Sequence, residues 1–130
     1  MSTIFSKIIN GIIPCFKIAE NDNFIAFLDV NPLVIGHTLV VPKKEIDYIF
    51  DVDDSLLQEM IVFSKQVAEK LKDNIDCKRI GLSVIGLEVP HAHIHLIPIN
   101  NVDDLNFSRP KLKVTEEELS VTHSKITCLK

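Results

Sequence analysis

Three of the chain's five histidines occupy alternate positions in the segment "HAHIHLIP". If this segment is a β-strand, His91, His93 and His95 share one face, because side chains alternate between the faces with a period of two. Ala92 and Ile94 would then face a packed helix. Near pH 7 an imidazole can attack an electrophile when neutral or donate a proton when charged. The row is therefore suited to nucleophilic or acid-base chemistry.

Three interpretations of this histidine row compete. The imidazoles could be solvated or satisfied in a core. They could bind zinc, but adjacent same-face positions lie roughly 6.5 Å apart, so that three in a row strain the geometry of a single metal ion. In the third interpretation one imidazole attacks phosphorus or moves a proton while its neighbours hold an oxyanion.

Two further polar residues stand beside apolar segments that are typical of strands. His37 opens the β-branched segment "HTLVVP", and Asp29 closes "FIAFLD". A short carboxylate at the end of a strand can accept hydrogen bonds from two vicinal hydroxyl groups. These residues extend the possible chemistry from a phosphate to a sugar.

The periodicity of the chain predicts the elements that would position these residues. A short helix in "IFSKIING" precedes a hairpin of "CFKIAE" and "FIAFLD". A long helix begins at Asp53 or Asp54 and ends near Asn74, because apolar side chains recur at helical spacing. That stripe comprises Leu56, Leu57, Met60, Ile61, Ser64, Val67, Ala68 and Leu71.

The remaining segments complete an α+β pattern. "RIGLSVIGLEV" and "HAHIHLIPI" are predicted strands, and "TEEELSVTHSKI" is a candidate terminal helix with Thr115 and Glu118 as a capping box. The pattern predicts about five mostly antiparallel strands with the long helix on one face. Ile49, Phe50, Val62 and Phe63 extend the apolar surface beyond that face, as expected of a surface that binds a partner.

Composition limits the classes of function. A chain of 130 residues with 46% hydrophobic and 25% charged residues is typical of one globular domain spanning 1–130. A net charge of −4 without a basic cluster disfavours a nucleic acid polymer as partner. No segment predicts a signal peptide or membrane span. The three unpatterned cysteines favour a reducing cytoplasm.

Taken together, "IFSKIINGIIP", "AFLDVNPLVIGHTLVVPK", the long helix and "HAHIHLIP" resemble the histidine triad (HIT) family. The resemblance is strongest to its Hint-like branch and covers roughly residues 4–98, leaving a polar tail over 101–130. It implies the HIT-like α+β fold, with a five-stranded sheet, a long helix and a short N-terminal helix. It also implies a homodimer.

The same resemblance implies an enzyme that acts at the α-phosphate of purine nucleoside phosphoramidates or acyl-nucleotides of the AMP or GMP type. His93 would attack phosphorus and form a nucleotidyl-histidine, while His91 and His95 would orient the phosphate. His37 would support the triad, and Asp29 would bind the ribose hydroxyls. Alternatives are a dinucleoside polyphosphate hydrolase of the Fhit-like branch, and a nucleotide-binding interaction module.

The resemblance also implies apolar walls around the base, which ordinary core positions would equally explain. Those residues are Phe5, Ile8, Phe27, Leu28 and Val30. Before the triad, the family's Gly is retained as Gly86, whereas Leu87 and Glu88 replace polar residues. Glu88 is either a general acid beside the leaving group or a solvated residue.

Some bacterial relatives bind a structural zinc ion through a Cys-x-x-Cys pair in the N-terminal segment. This chain has Thr3 and Ser6 there, and hydroxyl groups are poor substitutes for thiolates. We therefore expect no metal and no cofactor. The tail beyond Pro98 has no counterpart from which a role can be transferred.

Overall fold

The computed structural model describes residues 3–128. Its elements, in chain order, are α1 (Ile4–Ile9), β1 (Lys17–Glu20), β2 (Phe24–Leu28), β3 (Thr38–Pro42), α2 (Asp54–Asn74), β4 (Arg79–Ser83), β5 (Ile94–Ile99) and α3 (Glu116–Thr127). Short 3-10 turns lie at Ile49–Asp51 and Val102–Leu105.

The five strands form one sheet in the order β1-β2-β3-β5-β4, and every pair of neighbours is antiparallel. The predicted α+β fold is confirmed. In the centre of the sheet, Leu39 of β3 lies opposite Phe27 on one side and His95 on the other. These three residues therefore share a face, which is the face that does not carry α2.

Each face of the sheet has its own apolar cluster. Residues of β2, β3 and β5 pack with α2 and α3 on one face, and they include Phe24, Ala26, Leu28, Val40, Ile94 and Leu96. The alternate residues Ile25, Phe27, Leu39 and Val41 pack with Phe5 of α1 on the other face. The N-terminal helix thus covers part of the histidine face.

The long helix begins where the sequence predicted, because the Asp53 side chain accepts a hydrogen bond from Leu56 N at 2.9 Å. Its buried stripe differs in detail. Phe63 is 6% exposed and belongs to the core, whereas Ile61 is 48% exposed. Ile49 is also partly buried against the core. Phe63 and Ile49 are therefore not part of the predicted surplus surface, and only Phe50 and Val62 of the four are exposed.

The strand predicted for "RIGLSVIGLEV" is shorter than expected. β4 ends at Ser83, and residues 84–90 form a loop in which Gly86 adopts a φ of 73°. The strand predicted for "HAHIHLIPI" is also shorter, since β5 begins only at Ile94. Ala92 N donates instead to Ile46 O at 2.6 Å, which directs the first part of the triad away from the ladder.

The terminal helix and its capping box are as predicted. Glu118 N donates to Thr115 Oγ1 at 3.0 Å, and Thr115 N donates to Glu118 Oε1 at 2.9 Å. Within residues 3–128, no helix combines the length and the apolar character needed to cross a membrane.

Candidate active site

The four histidines of interest lie close together on the face of the sheet that α1 partly covers. His37, His91, His93 and His95 are all buried. The Phe5 ring of α1 lies with its centroid 5.0 Å from that of His93, and the rings of His93 and His95 are 4.8 Å apart. The fold thus brings together the whole histidine set that the sequence singled out.

His93 is held in one tautomer by the backbone. Its Nδ1 lies 2.8 Å from the carbonyl oxygen of His91, and because a carbonyl only accepts, Nδ1 carries the proton. In the neutral ring Nε2 then holds a lone pair. Burial lowers the pKa of His93, against the opposing effects of the His91 carbonyl and of Asp29, so the neutral form prevails near pH 7.

A second chain of hydrogen bonds sets the tautomers of His37 and His95. Leu33 N donates to His37 Nδ1 at 3.0 Å, so that nitrogen is the acceptor. His37 Nε2 therefore carries the proton and donates to His95 Nδ1 at 2.9 Å. Burial lowers the pKa of both imidazoles to about 3. His95 consequently presents Nε2–H as a fixed, neutral donor.

His91 differs because the protein uses both of its ring nitrogens. Nε2 donates to Pro42 O at 2.8 Å, and Nδ1 lies 3.0 Å from Thr3 Oγ1. Its side chain is fully buried. The resemblance implied that this imidazole orients the phosphate, and the structure instead leaves it no nitrogen for a ligand. Its connection to the site is its carbonyl group, which holds His93.

Beyond His91, polar groups of α1 and the segment after β3 form a network. Ser6 Oγ donates to Glu45 Oε1 at 2.6 Å, and Thr3 N donates to the same oxygen at 3.2 Å. Ser6 N donates to Thr3 Oγ1 at 3.0 Å, and the two hydroxyl oxygens are 3.1 Å apart. The hydrogen bond from Ser6 lowers the pKa of the Glu45 carboxyl. The hydroxyl groups of Thr3 and Ser6 and the Glu45 carboxylate thus connect α1 to the triad.

Asp29 lies directly after β2, beside His37. Its backbone N–H donates to His37 O at 2.9 Å, and its Oδ1 accepts from Asn31 N at 2.9 Å. Its Oδ2 lies 3.7 Å from His37 Nε2. Burial raises the pKa of the carboxyl, and the Asn31 amide and the charge of Lys111 oppose that rise. With 20% of its side chain exposed, Asp29 is accessible to a ligand at the edge of the cluster.

Asp29, His37 and His95 together offer three ligand atoms within 4.8 Å of one another. Two observations disfavour a metal ion there. His37 Nδ1 already accepts from Leu33 N, and the His37–His95 hydrogen bond occupies the nitrogens that face each other. A metal ion would have to displace one of these buried hydrogen bonds.

The apolar residues expected around the base separate into two groups. Phe5, Phe27 and the half-buried Ile8 lie in the cluster on the histidine face, and Val30 is 56% exposed beside Asp29. Leu28 packs in the core beneath α2 and α3. The structure therefore removes Leu28 from the expected wall, because neighbouring strand residues point to opposite faces.

The loop that precedes the triad places its polar residue on the side of the active site. Glu88 is exposed, and its negative charge raises the pKa of both His93 and Asp29. Val89 anchors the loop by packing against the apolar cluster of α1. Gly86 has a positive φ of 73°, which disfavours side chains other than glycine's.

Two residues of the polar tail belong to this site and were missed by the sequence analysis. The Phe107 ring lies 4.8 Å from the His95 ring and 6.2 Å from the His37 ring. The Lys111 ammonium lies 5.2 Å from the centre of Phe107. An aromatic residue and a lysine four positions apart in "NFSRPKLK" are a weak signal, and no periodicity connects them to the triad.

Known proteins resemble this chain over most of its length. The HIT domain matches residues 10–102. An uncharacterised HIT-like protein of Borreliella burgdorferi is 36% identical over 113 residues, which are 82% of this chain and 81% of that protein. An adenosine 5'-monophosphoramidase of Schizosaccharomyces pombe is 31% identical over 129 residues, covering 98% and 97% of the two chains.

A solved structure shows the same agreement in three dimensions. The crystal structure of a Hit-like protein from Bartonella henselae, described as involved in cell-cycle regulation, superposes with a TM-score of 0.83. The two are 29% identical, and the match covers 97% of this chain and 95% of that chain. The sequence match, the shared fold and the buried histidine row agree, and the chain belongs to the HIT domain family.

Proposed function

We propose that this protein is a nucleotide hydrolase or transferase that acts at the α-phosphate of purine nucleoside phosphoramidates or acyl-nucleotides. The observation that carries this proposal is the state of His93. Its proton is on Nδ1, its Nε2 is an unprotonated nucleophile, and burial keeps the ring neutral. A histidine with a purely structural role in a core normally has both ring nitrogens hydrogen-bonded. His93 instead keeps an unprotonated Nε2 near the oriented Nε2–H donor of His95.

The proposed reaction has two steps. His93 Nε2 attacks the α-phosphorus, a P–N bond forms, and the bond to the leaving group breaks with its electron pair on the leaving group. Water then attacks the same phosphorus and gives up a proton, which the departed leaving group or the solvent takes up. The bond between phosphorus and His93 Nε2 breaks, and the nucleoside monophosphate is released. In both steps His95 Nε2–H donates to a non-bridging oxygen, and this donor needs no reorientation during the reaction.

Two features support a nucleoside as the rest of the substrate. Asp29 lies beside His37 with part of its carboxylate accessible, where it can accept the two ribose hydroxyls. The S. pombe relative is named an adenosine 5'-monophosphoramidase. A substrate of that kind contains a purine nucleoside and a P–N bond. Phe5, Ile8, Phe27 and Val30 are the apolar candidates for contact with the base.

The experiment that tests this proposal traps the intermediate. Adenosine phosphoramidate labelled in the phosphate is mixed with the protein, quenched within milliseconds and digested. We expect label on His93 in the peptide that contains "HAHIHLIP". His93→Asn should abolish turnover, since an amide does not attack phosphorus at a useful rate.

A matched control is His123→Asn, which replaces a histidine of α3 outside the cluster. This variant should keep full turnover and full labelling. Label on His91 or His95, or undiminished turnover by His93→Asn, would refute the role of His93. Turnover of dinucleoside polyphosphates without turnover of phosphoramidates would contradict the proposed substrate class and support the dinucleoside polyphosphate hydrolase alternative.

We further propose that the protein is a homodimer. Phe50 is 73% exposed and its ring contacts that of Tyr48, while Val62 of α2 is 55% exposed. Large apolar side chains exposed in this way support a partner surface. Sedimentation equilibrium at micromolar concentration should report twice the chain mass of 14.7 kDa. A monomer under these conditions would contradict this proposal without affecting the chemistry at His93.

A further inference from the structure

The polar tail forms a strap over residues 103–114, and this C-terminal strap is bound to the loop between β2 and β3. Leu112 N donates to Pro32 O at 2.8 Å, and Arg109 Nη2 donates to Leu33 O at 3.3 Å. Arg109 Nη1 also pairs with Asp103 Oδ2 at 3.0 Å within the strap. These contacts connect the strap to the same loop whose Leu33 amide sets the tautomer of His37.

The strap places an aromatic ring and a cation at the histidine cluster. Phe107 meets the His95 ring edge to face at 4.8 Å, with 68° between the ring planes. The Lys111 ammonium lies over the Phe107 ring at 5.2 Å from its centre, which is within the range of a cation-π contact. A single ring thus touches both the proposed phosphate donor and a positive charge.

The charges of the cluster explain why a cation is needed there. The imidazoles of His37 and His95 are neutral at physiological pH, because burial lowers their pKa values to about 3. The carboxylates of Asp29 and Glu88 make the surroundings negative, and a nucleoside monophosphate adds further negative charge. Without a positive group the phosphate would enter a site that repels it.

Lys111 acts on the right set of residues to supply that charge. Its ammonium opposes the rise in the pKa of Asp29, and it contributes to the low pKa values of His37 and His95. It therefore lies within electrostatic reach of the proposed ribose-binding carboxylate and of the proposed phosphate donor. An exposed lysine on a flexible stem can reach an anionic ligand between them.

We propose that Lys111 binds a non-bridging oxygen of the substrate's α-phosphate, and that Phe107 holds the ammonium beside His95, so that the C-terminal strap is part of the nucleotide site. The inference rests on the proposed nucleotide function and extends it to a residue outside the domain core. It also explains why a polar tail is packed against the triad rather than against the apolar core alone.

The test compares a ligand that has a phosphate with one that lacks it. The affinities of AMP and of adenosine are measured by calorimetry for the wild type, Lys111→Met and Lys111→Arg. Lys113→Met is the matched control, because it removes an exposed lysine from the same strap. All four proteins should fold, since both positions are exposed.

We expect Lys111→Met to weaken AMP binding about tenfold, the lower part of the range for hydrogen bonds to charged groups, because solvent screens an exposed lysine. Adenosine binding should be unchanged. Lys111→Arg should restore most of the AMP affinity, and Lys113→Met should bind both ligands like the wild type.

Three results would overturn the inference. They are unchanged AMP binding by Lys111→Met, equal losses for AMP and adenosine, and an equal loss in Lys113→Met. Failure of the proposed enzymatic function gives a different result, because a wild-type protein that binds AMP through Lys111 but cleaves no nucleotide conjugate would contradict only the chemistry.

Discussion

The two outer histidines of the triad occupy equivalent positions in the sequence but different environments in the structure. His91 has both ring nitrogens bound within the protein, to Pro42 O and Thr3 Oγ1. Among residues 3–128, His95 has a hydrogen-bond partner at Nδ1 alone, which is His37, and its Nε2–H is left as an oriented donor. One end of the row is therefore a structural anchor, and the other end keeps a donor that is available for the proposed substrate.

The three histidines of the row differ in proposed function because their surroundings differ. At the His91 end, hydroxyl groups and the Glu45 carboxylate tie α1 to the triad, and the His91 carbonyl then orients His93. At the His95 end, the loop between β2 and β3 contacts His37, and the C-terminal strap contacts His95. Substitution of His91 should therefore mainly affect stability, whereas substitution of His95 should mainly affect turnover.

Among substitutions at the two ends of the row, the largest difference is expected between His95 and His91. His95→Asn should lower kcat about 10²- to 10³-fold, the usual loss for one oxyanion donor. His91→Asn should mainly lower Tm, because a buried polar group left without its partner costs about 1–3 kcal/mol.

Measurement of kcat, Tm and the affinities of AMP and adenosine distinguishes the two variants. The ratio of AMP affinity to adenosine affinity should fall for His95→Asn and stay constant for His91→Asn. If His91→Asn selectively loses affinity for AMP, its imidazole contacts the phosphate and the proposed division is wrong.

A smaller effect is expected at Asp29, the proposed ribose-binding residue beside His37. Asp29→Ala should weaken the binding of AMP about tenfold or more, since each hydrogen bond to a charged group contributes about 1.5–3 kcal/mol. The 2′,3′-dideoxy form of AMP should bind the two proteins equally. Equal losses for both ligands would show that Asp29 serves only to end β2 beside His37.

The burial of His37 and His95 also predicts how the free energy of unfolding depends on pH. In the folded protein the pKa values of His37 and His95 are about 3, whereas an unfolded histidine has a pKa near its ordinary value of 6.5. Below pH 6.5 the unfolded chain binds protons that the folded chain excludes. The stabilisation is therefore complete above pH 6.5 and is lost progressively as the pH falls toward 3.

Urea unfolding between pH 7.5 and 5.5 measures this dependence before most carboxylates titrate. The free energy of unfolding should decrease as the pH falls, and His37→Gln should show a shallower decrease because one titrating group is missing. Identical slopes would mean that another group dominates the dependence.

The smallest effect is expected at the outer part of the His91 anchor. Glu45→Gln keeps an oxygen that accepts from Ser6 and Thr3, and it removes only a charge on an exposed side chain. We expect kcat and KM to stay within about threefold of the wild type, as for other exposed charges. Ser6→Ala provides the contrast, since it removes the shorter of the two hydrogen bonds to Glu45 Oε1 and should lower Tm more. A large loss of kcat in Glu45→Gln would show that its charge controls the triad.

Local patterns in the sequence determined most of the fold. The period of two grouped the three histidines of "HAHIHLIP", although only His95 lies in β5. Capping residues such as Asp53 and Thr115 marked the starts of helices. These features are short-range, because they depend on side-chain alternation and on bonds between residues three apart. The same alternation places Phe27 and Leu28 on opposite faces, so both could not line one base site.

Only the tertiary structure decided what each histidine can do. The tautomer of His93 depends on the neighbouring His91 carbonyl. The states of His91 and His95 depend on Pro42, Thr3 and His37, which are far away in the chain. The strap's contact with His95 is likewise a result of folding. The sequence contains the residue types and their spacing, but it does not give the hydrogen-bond partners of each ring nitrogen. A proton's place on an imidazole is set by the donors and acceptors that folding brings within about 3 Å of each nitrogen.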